Sequence, residues 1–208
     1  MAVDQQDIEA YTVLAGMYAE GKGVAQDFKK SFHWNKLAAE NGSLYGMLMV
    51  GRSYQHAEGV QRDYEKAIYW YRLASDQQYS DATLDLGRAY INGMGVTKNI
   101  EAGLALVLRS AEQNNFIAQY ELGKAYLEGV NVQRNPHSAF QWFERSIRNG
   151  STDAQVELAL LYLSGQALEQ SSEQAMNLLL DAADQENSYA AYILGRFYLD
   201  NLWAPSDY

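Results

Sequence analysis

The chain has 208 residues, of which 48% are apolar and 20% are charged, with no cysteine and two prolines. This composition excludes a disordered chain, a collagen-like chain and a disulfide-stapled secreted miniprotein, and it supplies enough apolar side chains for a sizeable core. The 26 acidic residues outnumber the 16 basic ones, and the net charge of -10 disfavours nucleic acid as the main partner.

The N-terminus does not have the pattern of a targeting segment. Residues 1–6 contain neither a basic start nor an apolar stretch, so they are not predicted to be a signal peptide. No uninterrupted apolar run approaches the ~18–20 residues that a membrane-spanning helix needs. We therefore expect the cytoplasm for the sequence as written, or the bacterial periplasm if Met1 replaces a removed leader.

Three columns of residues recur every 36 positions and predict the first helix of a repeat. A small residue, an aliphatic residue and a tyrosine follow one another at intervals of four, which places them on one helix face. The small column is Ala10, Gly46, Ala82, Ala118, Ala154 and Ala190; the aliphatic column is Leu14, Val50, Leu86, Leu122, Leu158 and Leu194; the tyrosine column is Tyr18, Tyr54, Tyr90, Tyr126, Tyr162 and Tyr198.

A turn and a second helix follow in each repeat. The turn is rich in glycine, as in residues 21–24, and Ala57 and Ala167 in place of glycine predict somewhat different turns in two repeats. The second helix is predicted to begin after an N-cap residue whose side chain accepts a backbone hydrogen bond, and Pro136 suits the first position of one such helix. The N-caps are Asp27, Asp63, Asn99, Asn135 and Ser171, and the large apolar anchors are Trp34, Trp70, Leu106, Trp142 and Leu178.

The repeats predict the fold class. One helix pair cannot bury its apolar face, whereas stacked pairs form a continuous core. We therefore predict an all-α, right-handed α/α solenoid of five 36-residue helix-turn-helix repeats plus a C-terminal half repeat, with a concave surface lined by the first helices. Residues 1–208 form one array in this prediction, with repeats at 10–45, 46–81, 82–117, 118–153 and 154–189 and the half repeat at 190–208.

The last residues allow two interpretations. The first helix of a sixth repeat is present in the sequence and Asp207 stands at the next N-cap position, but no second helix follows. Either the array ends naturally in a half repeat, or the chain is a fragment of a longer array, which we favour. In the second case the open end exposes apolar residues and is expected to self-associate.

The spacing of these residues resembles the Sel-1-like repeat, a relative of the tetratricopeptide repeat. The residues that carry the resemblance in the first repeat are Leu14, Tyr18, Gly21, Gly23, Val24, Asp27, Lys30, Trp34, Ala38, Ala39 and Gly42. The resemblance covers nearly the whole chain, with local departures such as Leu106 and Leu178 for tryptophan. It implies an adaptor or scaffold that holds proteins, often bacterial; some members are immunity proteins against secreted toxins, and no catalytic residue is implied.

No motif in the sequence predicts a metal, cofactor or nucleophile site. The three histidines lie in different repeats without metal-ligand spacing, and the glycine-rich turns lack the pattern of a phosphate loop. One enzyme hypothesis remains, a carbohydrate-acting hydrolase that uses the carboxylates of Asp85, Glu121 and Glu157 in adjacent repeats. Arg88 and Lys124 lie three residues beyond two of them, which favours a salt-bridged surface over a general acid.

Three neighbouring columns of the first helices predict a protein-binding groove. An apolar column is expected to be exposed, and it consists of Thr12, Leu48, Leu84, Tyr120, Val156 and Tyr192. It is flanked on one side by Val13, Met49, Asp85, Glu121, Glu157 and Ile193, and on the other by a cation column of Gly16, Arg52, Arg88, Lys124, Leu160 and Arg196. The alternative is that packing between repeats buries part of the apolar column. The predicted groove residues are Leu48, Arg52, Leu84, Asp85, Arg88, Tyr120, Glu121, Lys124, Val156, Glu157, Tyr192 and Arg196.

These patterns predict a non-catalytic scaffold that binds a partner protein or an extended peptide in its groove. No cofactor, nucleic acid or membrane span is expected, and the cation column predicts attraction for an acidic partner. A dedicated inhibitor, such as an immunity protein that blocks one toxin, is the alternative within binding, and the hydrolase is the alternative outside it.

Overall fold

The computed structural model describes residues 8–165 and 170–199. Within these residues the chain forms eleven α-helices and no strand. The first helices of the repeats are α1 (Ile8–Glu20), α3 (Leu44–His56), α5 (Ser80–Asn92), α7 (Phe116–Glu128), α9 (Thr152–Ser164) and α11 (Ser188–Leu199). The second helices are α2 (Phe28–Glu40), α4 (Tyr64–Asp76), α6 (Ile100–Glu112), α8 (Pro136–Arg148) and α10 (Ser172–Asp184). Successive first helices begin 36 residues apart, as do successive second helices, which confirms the all-α repeat solenoid.

The turn between the two helices of a repeat is held by the same two contacts each time. The five predicted N-cap residues all accept a backbone N–H with their side chains, as Asn99 Oδ1 does from Ala102 at 2.9 Å. The backbone N–H of each cap residue also donates to the backbone carbonyl of the tyrosine nine residues earlier, for example from Asn99 to Tyr90 at 2.8 Å. These bonds fix the length of the turn, so an insertion there would separate the cap from its carbonyl partner.

Residues in the left-handed backbone conformation end the first helices α3, α5, α7 and α9. Gly93, Gly129 and Gly165 do so with positive φ, and Ala57 adopts the same conformation with φ 64°. The prediction of a different turn at Ala57 is therefore wrong, because alanine takes the left-handed conformation at an energetic cost. Gly59 has a stricter requirement, since a Cβ there would lie 2.0 Å from the carbonyl oxygen of Phe28 at the start of α2. Ala167 lies outside the described residues.

Helix pairs pack by matching a large side chain with a glycine. A Cβ on Gly51 would lie 2.4 Å from Tyr71 Cε1, and a Cβ on Gly123 would lie 2.4 Å from Phe143 Cε1. The equivalent positions in the fifth repeat hold Ala159 with the smaller Leu179, and both are buried in one cluster. A larger residue on the first helix is thus matched by a smaller residue on the second helix, so each helix pair stays closely packed.

The predicted apolar anchors of the second helices are half-buried rather than central. Trp34, Trp70, Leu106, Trp142 and Leu178 are all of intermediate exposure. The residue after each anchor is the buried one, as Tyr71 and Phe143 show with no exposed surface. The anchors cover the edge of the core, and the following residues fill its centre.

Contacts along the chain divide it into two compact units, Met1–Ser110 and Ala111–Tyr208. The core of the first unit contains Val50, Ile68 and Tyr71 with half-buried aromatic residues around them. The second unit has one cluster around Phe143 and another around Leu179. The single continuous array stays a prediction, and the predictions for residues 200–208, including Asp207, lie outside the described residues.

Candidate functional site

The apolar column is buried at three of its predicted groove positions. Leu48, Leu84 and Val156 expose only 2%, 1% and 2% of their surface, so the expectation that they are exposed is wrong. The physical reason is that a first helix is covered on two sides: α3 packs against both α2 and α4, and α9 packs against both α8 and α10. Leu48 and Val156 accordingly belong to the core clusters of their units. Tyr120 is half-buried, and Tyr192 is 57% exposed.

Besides Tyr192 and other exposed apolar residues of the first helices, exposed apolar residues recur at one further helix position. The column at this position consists of the second residue of each first helix and is named here the first-turn column: Glu9, Tyr45, Asp81, Ile117, Asp153 and Tyr189. Its apolar members Tyr45, Ile117 and Tyr189 are 47%, 36% and 55% exposed. This column was not predicted, although its acidic and apolar residues alternate at the 36-residue spacing, which is visible in the sequence.

In the first unit, the predicted charged residues form an ion-pair cluster around Asp85. Arg52 Nε lies 2.7 Å from Asp85 Oδ2, and Arg88 Nη1 lies 2.9 Å from Asp85 Oδ1. The carboxylate side chain is 8% exposed, whereas the two arginine side chains are 37% and 35% exposed. The cluster therefore connects α3 to α5 through a buried carboxylate with both oxygens occupied.

The surroundings of this cluster shift two pKa values. Burial acts to lower the pKa of Arg52, but the hydrogen bond and the charge of Asp85 oppose it, and the pKa is raised. Burial raises the pKa of Tyr71, and the nearby negative charge of Asp85 raises it further. Tyr71 stays protonated and donates to Gln55 Oε1 at 2.9 Å, which satisfies its hydroxyl inside the core.

In the second unit, Lys124 holds the corresponding position between two carboxylates. Its Nζ lies 2.9 Å from Glu157 Oε1 on α9 and 2.9 Å from Glu128 Oε1 on its own helix. The Tyr120 hydroxyl donates to the same Glu157 oxygen at 3.4 Å. Burial acts to lower the pKa of Lys124, whereas its hydrogen bonds to Glu128 and Glu157 raise it, so the pKa is raised overall. Glu121 is half-buried beside this group.

The last two predicted residues lie together on α11. Arg196 Nη1 donates to the Tyr192 hydroxyl at 3.3 Å, and the rings of Tyr192 and Tyr189 stack with their centroids 6.2 Å apart. This places Tyr192 beside the first-turn column. Of the twelve predicted residues, three are buried apolar residues, six belong to the two ion-pair clusters, and Glu121 is half-buried on α7. The remaining two, Tyr192 and Arg196, lie on α11 beside Tyr189, which was not predicted.

The described residues form neither a metal cluster nor a membrane span. Among them, no three His, Cys, Asp or Glu side chains are grouped so that they could hold a metal ion. The three histidines are exposed and lie on α2, α3 and α8. None of the helices in 8–165 and 170–199 combines the length and the apolar character needed to cross a membrane.

Comparison with known proteins places these features in a family. The Sel1 repeat model matches residues 8–43, 44–79, 80–115, 117–151 and 152–187, and each match begins one or two residues before the corresponding repeat predicted above. The chain is similar to a Sel1 repeat protein from Oxalobacter formigenes, at 30% identity and a TM-score of 0.83, over 93% of this chain and 79% of that one. No curated protein matches the chain.

Two further solved structures are similar. One is c5321, a protective antigen present in uropathogenic Escherichia coli strains that displays an SLR fold, at 31% identity and a TM-score of 0.78. The similarity covers 99% of this chain and 44% of that one, so the chain spans less than half of that protein. The other is the immunity protein Pa5087 from Pseudomonas aeruginosa, at 21% identity and a TM-score of 0.67, over 91% of this chain and 70% of that one. At that identity the likeness is one of fold.

Proposed function

Because the chain belongs to the Sel1 repeat family, whose solenoids are generally protein-interaction scaffolds, we propose that it is a non-catalytic scaffold for a partner protein or an extended peptide. In each unit, the proposed contact surface is the exposed face of its first helices. In the first unit it comprises the first-turn residues with the ion-pair cluster around Asp85, and in the second unit the first-turn residues with the cluster around Lys124.

One observation carries this proposal: large apolar side chains stand exposed at the same helix position in three repeats. Tyr45, Ile117 and Tyr189 are 47%, 36% and 55% exposed, and the other members of the first-turn column are acidic. Exposed aromatic residues provide much of the binding energy at protein interfaces, and charged neighbours keep such a surface soluble. The apolar members of the first-turn column therefore provide contact sites for a partner, and its acidic members keep the surface around them charged.

The carboxylates of the hydrolase hypothesis are engaged in structural contacts. Both oxygens of Asp85 accept from guanidinium groups, and Glu157 Oε1 accepts from Lys124 and Tyr120. These donors occupy both oxygens of Asp85 and one oxygen of Glu157, which a catalytic carboxylate would turn toward a substrate. The arrangement supports a scaffold rather than a hydrolase.

A dedicated inhibitor is the second candidate. The immunity protein from Pseudomonas aeruginosa has the same fold, which demonstrates that this architecture is compatible with such a role in another protein. At 21% identity the likeness carries no residue-level correspondence. The two candidates differ in the partner: an inhibitor has one target enzyme and abolishes its activity at a stoichiometric ratio, whereas an adaptor leaves its partners active.

Site-specific photo-crosslinking in the source organism tests the proposed surface. A photoreactive phenylalanine analogue replaces Tyr45 or Tyr189 on the first helices, and in the matched control it replaces Tyr69, which is 58% exposed on the second helix α4. We expect a specific partner adduct at both Tyr45 and Tyr189, because each belongs to the proposed surface of its own unit. Purification of that partner then shows whether the chain inhibits it.

Two outcomes would contradict the proposed surface. One is the absence of any specific adduct at both Tyr45 and Tyr189, and the other is an adduct of equal yield at Tyr69. The comparison is informative because the three tyrosines have similar exposure and differ in the helix that carries them.

A further inference from the structure

An open apolar cleft of about 560 Å³ lies within the second unit. Four leucines, a serine and one carboxylate line it, at the C-terminal parts of α7 and α9: Leu127, Glu157, Leu160, Leu161, Leu163 and Ser164. Its volume falls in the range of ~300–1,000 Å³ that is typical of ligand sites. Leu127, Leu160 and Leu163 are half-buried, so each leaves apolar surface in contact with solvent.

The cleft opens where one repeat departs from the cation column. Arg52, Arg88 and Lys124 occupy this position in three earlier repeats, whereas the fifth repeat has Leu160. In the first unit Arg88 reaches Asp85 on the same helix at 2.9 Å. The equivalent pair on α9 is Leu160 and Glu157, so an apolar side chain lines the cleft where a guanidinium would otherwise lie.

The second unit carries more acidic than basic residues, and two carboxylates lie at or beside the cleft. Residues 111–208 contain 13 acidic and 5 basic residues, a net charge of -8, whereas residues 1–110 contain 13 acidic and 11 basic residues. Glu128 at the end of α7 is exposed, and Glu157 lines the cleft itself. Lys124 is the cation beside them, and it is already held between these two carboxylates. A partner that approaches this region therefore meets excess negative charge.

We propose that this cleft binds an apolar side chain of a partner segment that carries lysine or arginine residues beside it. The proposal rests on the proposed scaffold function and assigns it a site and a partner chemistry. The apolar side chain would cover Leu127, Leu160 and Leu163, which removes their surface from water. The flanking cations would interact with Glu128 and Glu157, which selects against acidic segments. In this unit the preference is thus the reverse of the acidic partner that the cation column predicts.

Selection of peptides from a random library on the whole chain tests the proposal. A phage-displayed library of 12-residue peptides is panned on the wild-type protein, and the selected peptides are labelled for fluorescence anisotropy. We expect them to combine a leucine or aromatic residue with neighbouring lysine or arginine. Their affinity should fall as the NaCl concentration rises from about 50 to about 300 mM, because salt screens the charge contribution.

The Leu160→Arg variant provides the site-specific test. It places an arginine three residues after Glu157, as Arg88 follows Asp85, and fills the cleft. We expect it to bind the selected peptides at least ~10-fold more weakly than the wild type. Leu180→Arg is the matched control, because Leu180 is a 41%-exposed leucine on the second helix α10 of the same unit. Its affinity should stay within ~2-fold of the wild type.

Circular dichroism and the melting temperature of both variants establish that they are folded, and Leu160→Gln replaces Leu160→Arg if the latter does not fold. The proposal is overturned if Leu160→Arg and Leu160→Gln bind the selected peptides as tightly as the wild type. It is also overturned if selection yields no binders, or peptides in which acidic residues flank the apolar one. Crosslinking at Tyr45 and Tyr189 is independent of the cleft, so the scaffold function can stand when the cleft proposal fails.

Discussion

Replacing Tyr71 by alanine should lower the free energy of unfolding by ~3–5 kcal/mol, the range for truncating a fully buried aromatic side chain. Tyr71 has no exposed surface, fits against Gly51 and satisfies its hydroxyl on Gln55. Its removal leaves a cavity bordered by a glycine, which has no side chain to fill it. The measurement is the urea dependence of the circular dichroism signal for the wild type and the variant.

The same pair offers a test of size matching between the helices. Gly51→Ala alone should destabilise the protein by ~1–3 kcal/mol, because its Cβ would lie 2.4 Å from the Tyr71 ring. The double variant with Gly51→Ala and Tyr71→Leu copies the Ala159 and Leu179 pair of the fifth repeat. We expect the double variant to lose less stability than the sum of the single variants.

Gly16→Ala is the matched control for this cycle. A Cβ on Gly16 has no other atom within 4 Å, and the residue lies in the interior of α1. We expect this substitution to raise stability by ~0.5–1 kcal/mol, the usual gain of alanine over glycine in a helix. Strict additivity in the Gly51 and Tyr71 cycle would contradict the size-matching account.

Asp85→Asn should lower the free energy of unfolding by about 1–2 kcal/mol. The carboxylate is nearly buried and accepts from two guanidinium groups. Charged hydrogen bonds at such a position contribute more to the free energy of unfolding than they do at an open surface. Arg52 and Arg88 are about one-third exposed, so water partly compensates for the lost charge and limits the effect. Chemical unfolding measures the change, and Asp76→Asn at an exposed position of α4 is the control.

An equal, small effect of the two substitutions would show that the Asp85 cluster contributes no more than ordinary surface charge. A larger loss for Asp85→Asn would establish the cluster as a stabilising link between α3 and α5. In that case its arginines are constrained by the fold, and their contribution to partner binding has to be separated from stability.

The elements of the fold that depend on local sequence were predictable. The N-cap at Asn135 and the following Pro136 determine where α8 begins, and the tyrosine carbonyls fix the length of each inter-helix turn. The same bonds recur because the same residues recur at the 36-residue spacing. A single repeat therefore carries the information for its own helices and turn.

The exposed face was not predictable from one helix alone. A first helix such as α3 packs on two sides, against α2 and α4, so its buried surface is wider than the stripe formed by Val50 and Tyr54. A prediction that buries only one side of each first helix places Leu48 on the surface, whereas the structure buries it. The cleft at Leu160 was not predicted for a related reason. A leucine in the cation column indicates a cleft only when the positions of Glu157 and α7 beside it are known.

The most direct test of the proposed binding surface on the first helices is the dissociation constant of the partner identified by crosslinking. Isothermal titration calorimetry compares the wild type with Tyr45→Ala and Tyr69→Ala, two exposed tyrosines of the same unit on a first and a second helix. The account predicts that Tyr45→Ala weakens binding by ~10-fold or more, as for an interface anchor, and that Tyr69→Ala changes it by less than ~2-fold. Equal losses, or a loss confined to Tyr69→Ala, would contradict the claim that the first helices form the binding surface.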